Sequence, residues 1–416
     1  MIINKKLNSG IRMVLEDIPY VQSIAIGIWV KAGAVDEDPK HAGVSHFIEH
    51  MMFKGTEKRS AKTIAEDIDK IGGQINAFTG KEATCYYVKT IHNHYQEAAD
   101  VLVDMLTNSV LDKEEMNKER QVICEEIKMT QDAPDDLAHD TITEMVFKGN
   151  PLGKSIIGTP SSLNRISRNV MVDYLRKEYT RDNIVVSVAG NFDVDEICAY
   201  FDEKFLSLAQ FKEEKEDHFT EYQPSCKLIV KDIEQSHLCL ATKGLKLTDE
   251  RYFAFSILNN IMGGSMSSRL FQNIREQKGL AYSVYSMTGA FRDDGYYNIY
   301  AGVSHNKIKD AIYGIKEELD ALEQQGITRD ELESSREQLK AGYIFGQENV
   351  SGRMFKNGKN TILSGTHYTQ EEVITSFDQV TMEDIEEVKK LICDFDQYSV
   401  VAVTNHKLDL RKVMKR

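Results

Sequence analysis

The sequence predicts an α+β protein of two related domains, each a mainly antiparallel β-sheet packed with α-helices. Three observations carry that expectation. The chain has 416 residues, more than one hydrophobic core usually supports, since domains mostly run to about 100–200 residues. Each half opens with apolar, β-branched runs, Ser23–Ala32 in the first and Cys226–Val230 with Leu238–Ala241 in the second, and then passes into segments of helical period. The halves also align with each other, which is the signature of an internal duplication. HFIEHMMFKGT, His46–Thr56, lies against FSILNNIMGGS, Phe255–Ser265, and KIGGQINAFTG, Lys70–Gly80, lies against the segment Lys278–Gly289. Further on, Leu111–Glu126 matches Ile327–Gly342, with Arg120 opposite Arg336.

Between the halves, residues 210–225 form a polar, charge-dense stretch with few apolar anchors. It is read as the linker, with a first domain over 1–209 and a second over 226–416.

Hydrophobic residues make up 41% and charged ones 28%, ordinary values for a globular protein with a large core. The formal net charge of -14 argues against a nucleic-acid surface, which needs clustered Lys and Arg. Peptides or proteins are the expected partners. Met1–Val14 lacks the apolar core of a signal peptide, and no apolar run approaches the roughly 18 residues of a membrane helix. The cysteines at 85, 124, 198, 226, 239 and 393 lie far apart and form no CxxC pair. They read as reduced thiols, which places the protein in the cytoplasm and away from membranes.

The chemistry concentrates in His46-Phe47-Ile48-Glu49-His50, set in an apolar run of helical spacing. On a helix, positions i and i+4 project from one face, so both imidazoles can reach one ion, with Glu49 beside them. Zinc favours imidazole nitrogen, and a catalytic site uses three protein ligands while leaving a fourth position for water. Chance alone produces this pattern about 0.03 times in a chain of this composition, so a second feature is required. It comes in the amphipathic run Glu114–Met129, where Glu119 and Glu126 stand two helical turns apart on one face. That suits Glu126 as third ligand and Glu119 as the acceptor that holds an imidazole N–H. Spacing alone favours a solvated face for Glu119, since charge-rich helices usually present one.

The acid before the second histidine is the inverted zincin order. With it, the chain resembles the pitrilysin/insulinase superfamily of metallopeptidases, and at this length its two-domain mitochondrial-processing-peptidase type with bacterial homologues. ERQVICEEI, Glu119–Ile127, is similar to the family's third-ligand segment, which implies Glu126 rather than Glu125 on zinc. Ser265–Val284 and, less specifically, Asn150–Thr159 are also family-like. Opposite His46, Glu49 and His50 the second half carries Phe255, Leu258 and Asn259, and opposite Glu119 and Glu126 it carries Ser335 and Gly342. One zinc per chain is therefore expected, in the first domain.

The resemblance implies that Glu49 takes the proton of a zinc-activated water, that Tyr282 donates to the oxyanion and that Arg275 orients the substrate. By sequence alone Tyr282 would read as a core or strand aromatic. In Ile71–Val88, glycines including Gly73 precede an alternating segment around Asn76, Ala77 and Phe78. An edge strand here would pair main chain to main chain with an extended peptide or an unfolded protein segment, as the family's strand does; an ordinary hairpin closing the sheet is the alternative. Family analogy further implies a homodimer with composite sites. Two rival expectations are a non-catalytic scaffold, which would be expected to have lost ligands, and a heterodimer in which another chain presents substrate.

Overall fold

The structure is a computed structural model in which residues 2–210 and 221–414 are described. Most of the linker expected at 210–225 lies outside the described residues. The strands are β1 (Ile2–Lys6), β2 (Arg12–Asp17), β3 (Ser23–Val30), β4 (Gln74–Thr79), β5 (Thr84–Ile91), β6 (Ile184–Gly190), β7 (Cys226–Val230), β8 (Ser236–Lys243), β9 (Ala281–Ala290), β10 (Gly295–Val303) and β11 (Ser399–Thr404). They form two sheets, ordered β1-β2-β6-β3-β5-β4 and β7-β11-β8-β10-β9.

Apart from the terminal strand β1, which has no counterpart, the sheets share one topology among the described residues. Each has a single parallel pair, β2 with β6 and β7 with β11, and all other neighbours run antiparallel. Two mainly antiparallel sheets with helices are the expected α+β class. Central strands are apolar throughout because both their faces are covered: SIAIGIWV in β3 and IVVSVAG in β6. The terminal strand β4, QINAFT, alternates exposed and half-buried residues instead.

Six helices matter for the site and its counterpart: α1 (Val44–Met52), α2 (Lys113–Asp132), α3 (Pro134–Val146), α4 (Tyr252–Asn259), α5 (Arg329–Gly346) and α6 (Val350–Leu363). The repeat is visible in side-chain detail. Arg120 on α2 donates to the carbonyl oxygens of Leu163 and Ile166, and Arg336 on α5 donates in the same way to those of Phe377 and Val380.

The compact units differ from the contiguous division at 1–209, 210–225 and 226–416. One unit combines Met1–Ile127, Lys154–Glu216 and Ile344–Thr369; the other combines Lys128–Gly153, Asp217–Tyr343 and Gln370–Arg416. Each sheet thus takes one covering helix from the other half of the sequence. An amphipathic helix must bury its apolar stripe, but the stripe does not specify which sheet receives it. On α6, Met354 and Gly358 meet β3, Ser187 Oγ of β6 donates to the Met354 carbonyl at 2.8 Å, and Asn357 donates to Glu16 of β2 at 2.7 Å. On α3, which lies on β8 and β11, His139 stacks on Tyr300 of the second sheet at 5.1 Å, and Tyr285 stacks on Tyr300 in turn at 4.9 Å.

Gly358 is where α6 comes closest to the first sheet. A methyl group there would sit 2.0 Å from Trp29 Nε1, and Trp29 is buried. Gly358→Ala should therefore destabilise the first unit by about 1–3 kcal/mol through overpacking. Gly342→Ala, on the open surface of α5 with no atom within 4 Å, should gain about 0.5–1 kcal/mol from helix propensity. Denaturant unfolding of both variants checks the placement, and a Gly358→Ala protein as stable as the parent contradicts it.

Candidate metal centre

The metal helix is fixed before any ligand is considered. Helix α1 buries Val44, Phe47, Ile48, Met51 and Met52 against the core, so His46, Glu49 and His50 occupy its half-exposed side. Its N-cap, Gly43, has φ 92°, and a methyl there would come 2.8 Å from the Ile157 carbonyl oxygen, so only glycine suits. Glu37 satisfies the helix terminus, one carboxylate oxygen accepting from Gly43 N at 2.7 Å and the other from Ser45 N at 2.9 Å. Burial pushes this carboxyl up to about 7 against the pull of those hydrogen bonds. Lys154 donates to the Glu37 carbonyl at 2.7 Å, which gives the Asn150–Thr159 segment a structural part in holding α1.

Helix α2 lies across α1. It buries Met116, Glu119, Ile123 and Ile127, and the Arg120 guanidinium rests 5.3 Å above the centre of the Phe47 ring. This contact sets α2 beside the face of α1 that carries the histidines. Glu126 then stands opposite both rings, its Oε2 3.8 Å from His46 Nε2 and 3.6 Å from His50 Nε2. One ligand atom from each of the three residues lies within 4.8 Å of the others.

This donor set fits zinc. Bonds of about 2.0–2.2 Å to one tetrahedral ion separate its ligands by roughly 3.3–3.6 Å, close to the distances found. Burial, followed by the neighbouring His50, pushes His46 down to about 4, so its ring is neutral at neutral pH and a lone pair is available. The Glu126 side chain is 38% exposed, which leaves the outer side open to a fourth, exchangeable ligand.

Two carboxylates flank the three. Glu119, with its side chain 8% exposed, accepts from His50 Nδ1 at 3.0 Å through Oε2 and pairs with Lys54 Nζ at 2.7 Å through Oε1. A proton on Nδ1 fixes the tautomer whose Nε2 lone pair faces Glu126. Burial raises the Glu119 carboxyl, but the bonds from Lys54 and His50 outweigh it and hold the group below the ordinary carboxylate range. Glu49 differs: its Oε2 accepts from Thr79 Oγ1, yet burial prevails and its pKa is raised. A raised carboxyl pKa suits a proton acceptor at neutral pH.

The suggested substrate residues occupy the β4 end of the first sheet. Gly73 precedes the strand, the Asn76 and Phe78 side chains are exposed on one face, and Ala77 and Thr79 face the helix side. Phe78 stands edge-on to Trp29 at 5.5 Å. Among the described residues β4 pairs only with β5, so its other edge carries no described strand. Arg275 and Tyr282 belong to the second unit, Arg275 in the helical segment Phe271–Gln277 and Tyr282 at the start of β9, with the guanidinium 5.8 Å from the Tyr282 ring centre. Tyr282 is a strand residue but no core residue, being 76% exposed.

Sequence reasoning missed Glu37, Thr79 and Lys54. For Thr79 a signal existed: the two-residue period through Ile75 and Ala77 puts it on the helix side. Lys54 follows His50 by one turn, but nothing local ties it to α2.

Residues 12–160 match a family profile described as "Insulinase (Peptidase family M16)", and residues 165–339 match one described as "Peptidase M16 inactive domain". Among curated relatives, the "Uncharacterized zinc protease YmxG" of Bacillus subtilis is 43% identical over 92% of this chain and 94% of that relative. An "Uncharacterized zinc protease" of Rickettsia bellii is 36% identical over 96% and 97%. Among solved structures, a protease from Helicobacter pylori superposes with a TM-score of 0.89 at 20% identity, over 97% of this chain and 99% of that one. A protein from Pseudomonas fluorescens described as a peptidase M16 inactive domain superposes with a TM-score of 0.91 at 17% identity, over 98% and 99%.

The geometry makes a direct prediction about metal content. Purified protein should hold about one zinc per chain, and replacing His46, His50 or Glu126 with Ala should remove it. Elemental analysis after dialysis decides this, and a wild-type zinc content in any of the three variants would exclude that residue as a ligand.

Proposed function

This chain belongs to the insulinase (M16) family of peptidases, and on that premise we propose that it is a zinc-dependent endopeptidase acting on peptides and unfolded protein segments. The observation that supports this most is the convergence of His46, His50 and Glu126, with Glu49 alongside. A helix bearing two histidines by accident would not have a second helix aimed at them with one carboxylate for the open side and another for the His50 N–H.

When bound, zinc would be held by His46, His50 and Glu126 and would supply Lewis-acid chemistry, acidifying a water and offering positive charge near the scissile carbonyl. Glu49 accepts a proton from the attacking water and later returns it to the leaving amine. The Thr79 hydroxyl, bound to one oxygen of Glu49, leaves the other oxygen for that exchange. Glu119 keeps His50 in its metal-facing tautomer. The exposed edge of β4 takes the extended substrate as an added strand, with Gly73 admitting its backbone and Asn76, Ala77 and Phe78 forming its surroundings. Tyr282 donates to the developing oxyanion and Arg275 orients the peptide.

We assign the protein to a cytoplasmic homodimer in which Arg275 and Tyr282 of one chain serve the zinc of its partner. All six cysteines are free, as a reducing compartment requires, and no helix among the described residues is long and apolar enough to cross a membrane. The scaffold alternative sits poorly with a complete ligand set.

Mass spectrometry of a peptide library digested with and without a chelator tests the activity; products that persist unchanged in chelator contradict it. Glu49→Gln should retain zinc and lose roughly 10²–10⁴-fold in turnover, the usual worth of a general base. Turnover near that of the parent would remove Glu49 from the role. Mixing Glu49→Gln with Tyr282→Phe chains tests sharing between chains. With full subunit exchange, half the dimers hold one intact composite site, so activity should recover to about one quarter of the parent. A mixture as inactive as its parents, with exchange demonstrated, means that both residues act within one chain.

A further inference from the structure

Beside the zinc residues stands a charge that the proposed reaction leaves unused. Lys54 lies just past the end of α1, and its Nζ sits 2.7 Å from Glu119 Oε1, while Glu119 Oε2 faces His50 Nδ1 at 3.0 Å. The three groups form a line from cation to carboxylate to imidazole. An exposed Lys–Glu pair contributes little, but this carboxylate has only 8% of its side chain exposed. Burying an ionised carboxylate requires a partner for each oxygen, and here each oxygen has one.

The mount of Lys54 is rigid. Its backbone N–H donates to the Met51 carbonyl at 3.1 Å, which ties it to the last turn of α1. The following residues are tied to the approach to α2: Val110 N donates to the Gly55 carbonyl at 3.3 Å and Glu57 N to the Asn108 carbonyl at 3.0 Å. Thr56 Oγ1 adds a bond to Asp104 at 2.6 Å. The backbone at Lys54 is therefore tied to α1 and to the segment that leads into α2, while its ammonium group reaches Glu119 on α2 itself.

From this we infer that Lys54 is a positioning residue for zinc: by holding Glu119 Oε1 it keeps Oε2 on His50 Nδ1, and so keeps His50 Nε2 presented to the metal. Without it, Glu119 would retain a buried oxygen with no cation, and the carboxylate would be free to turn towards solvent and release the ring. Lys54 is not one of the three metal-facing residues, and its effect passes through Glu119.

The inference rests on the zinc-site reading, and its test separates the two. Zinc affinity is measured by competition with a chromophoric chelator for the parent, Lys54→Met, Lys54→Arg, Glu119→Gln and the double variant Lys54→Met/Glu119→Gln. A parent that binds no zinc overturns both readings. With zinc bound by the parent, Lys54→Met should weaken affinity roughly 10-fold, the low end for groups that orient a ligand, and Lys54→Arg should restore most of it. The double variant should be no weaker than Glu119→Gln alone, because Lys54 then has no carboxylate to hold. Denaturant unfolding of the metal-free proteins establishes that each variant folds, a lower midpoint for Lys54→Met being the expected cost of leaving Glu119 without its cation; if that variant does not fold, Lys54→Gln is judged by the same affinity criteria. Affinity within twofold of the parent, or losses that multiply in the double variant, would refute the inference and leave the zinc site standing.

Discussion

Everything proposed for this protein depends on how α2 lies across α1. Two histidines at i and i+4 are placed by the helix itself, but a third donor must come from elsewhere, and here it comes from a helix that begins about sixty residues further along the chain. Arg120 over Phe47, the buried row Met116–Ile123–Ile127 and the bonded pair Glu119–His50 each constrain that crossing from a different side. Together they bring Glu126 Oε2 to within 3.8 Å of both imidazoles. A shift of one helical turn would leave the same residues present and the site absent.

The second unit shows what remains when this constraint is relaxed. Arg336 makes the same two carbonyl contacts as Arg120, so the packing of the equivalent helix is retained. The chemistry is gone. Ser335 takes the place of Glu119 and accepts from Asn260 at 3.1 Å, and the residue opposite Glu126 is Gly342, with no side chain at all. An uncharged amide–hydroxyl pair costs less to bury than an ion-paired carboxylate. A duplicated unit freed from metal binding would settle towards it.

Much of this was legible in the sequence, for reasons that differ by residue. His46, Glu49 and His50 are tied together by helical period, which tertiary context does not alter. Glu126 and Glu119 were legible as a seven-residue spacing on one face, with the resemblance deciding between Glu126 and Glu125. The strand pattern was legible in β3 and β4 because full burial and edge position leave opposite signatures, a continuous apolar run against an alternation. The exchange of α3 and α6 between units was not legible. Their amphipathic faces record that each must be covered, and carry no information about which of two similar sheets will cover it. Lys54 was hidden for a related reason, since its partner lies on another helix and an isolated Lys beside a helix end is ordinarily a solvated charge.

The central claim is that two imidazoles and one carboxylate, and no thiolate, hold a single zinc. X-ray absorption at the zinc edge of the metal-loaded protein tests it without any substitution. The account predicts a four- or five-coordinate shell of nitrogen and oxygen at about 2.0–2.2 Å, with the outer-shell scattering of two imidazole rings. Sulfur at about 2.3 Å, or scattering from fewer than two rings, would contradict it.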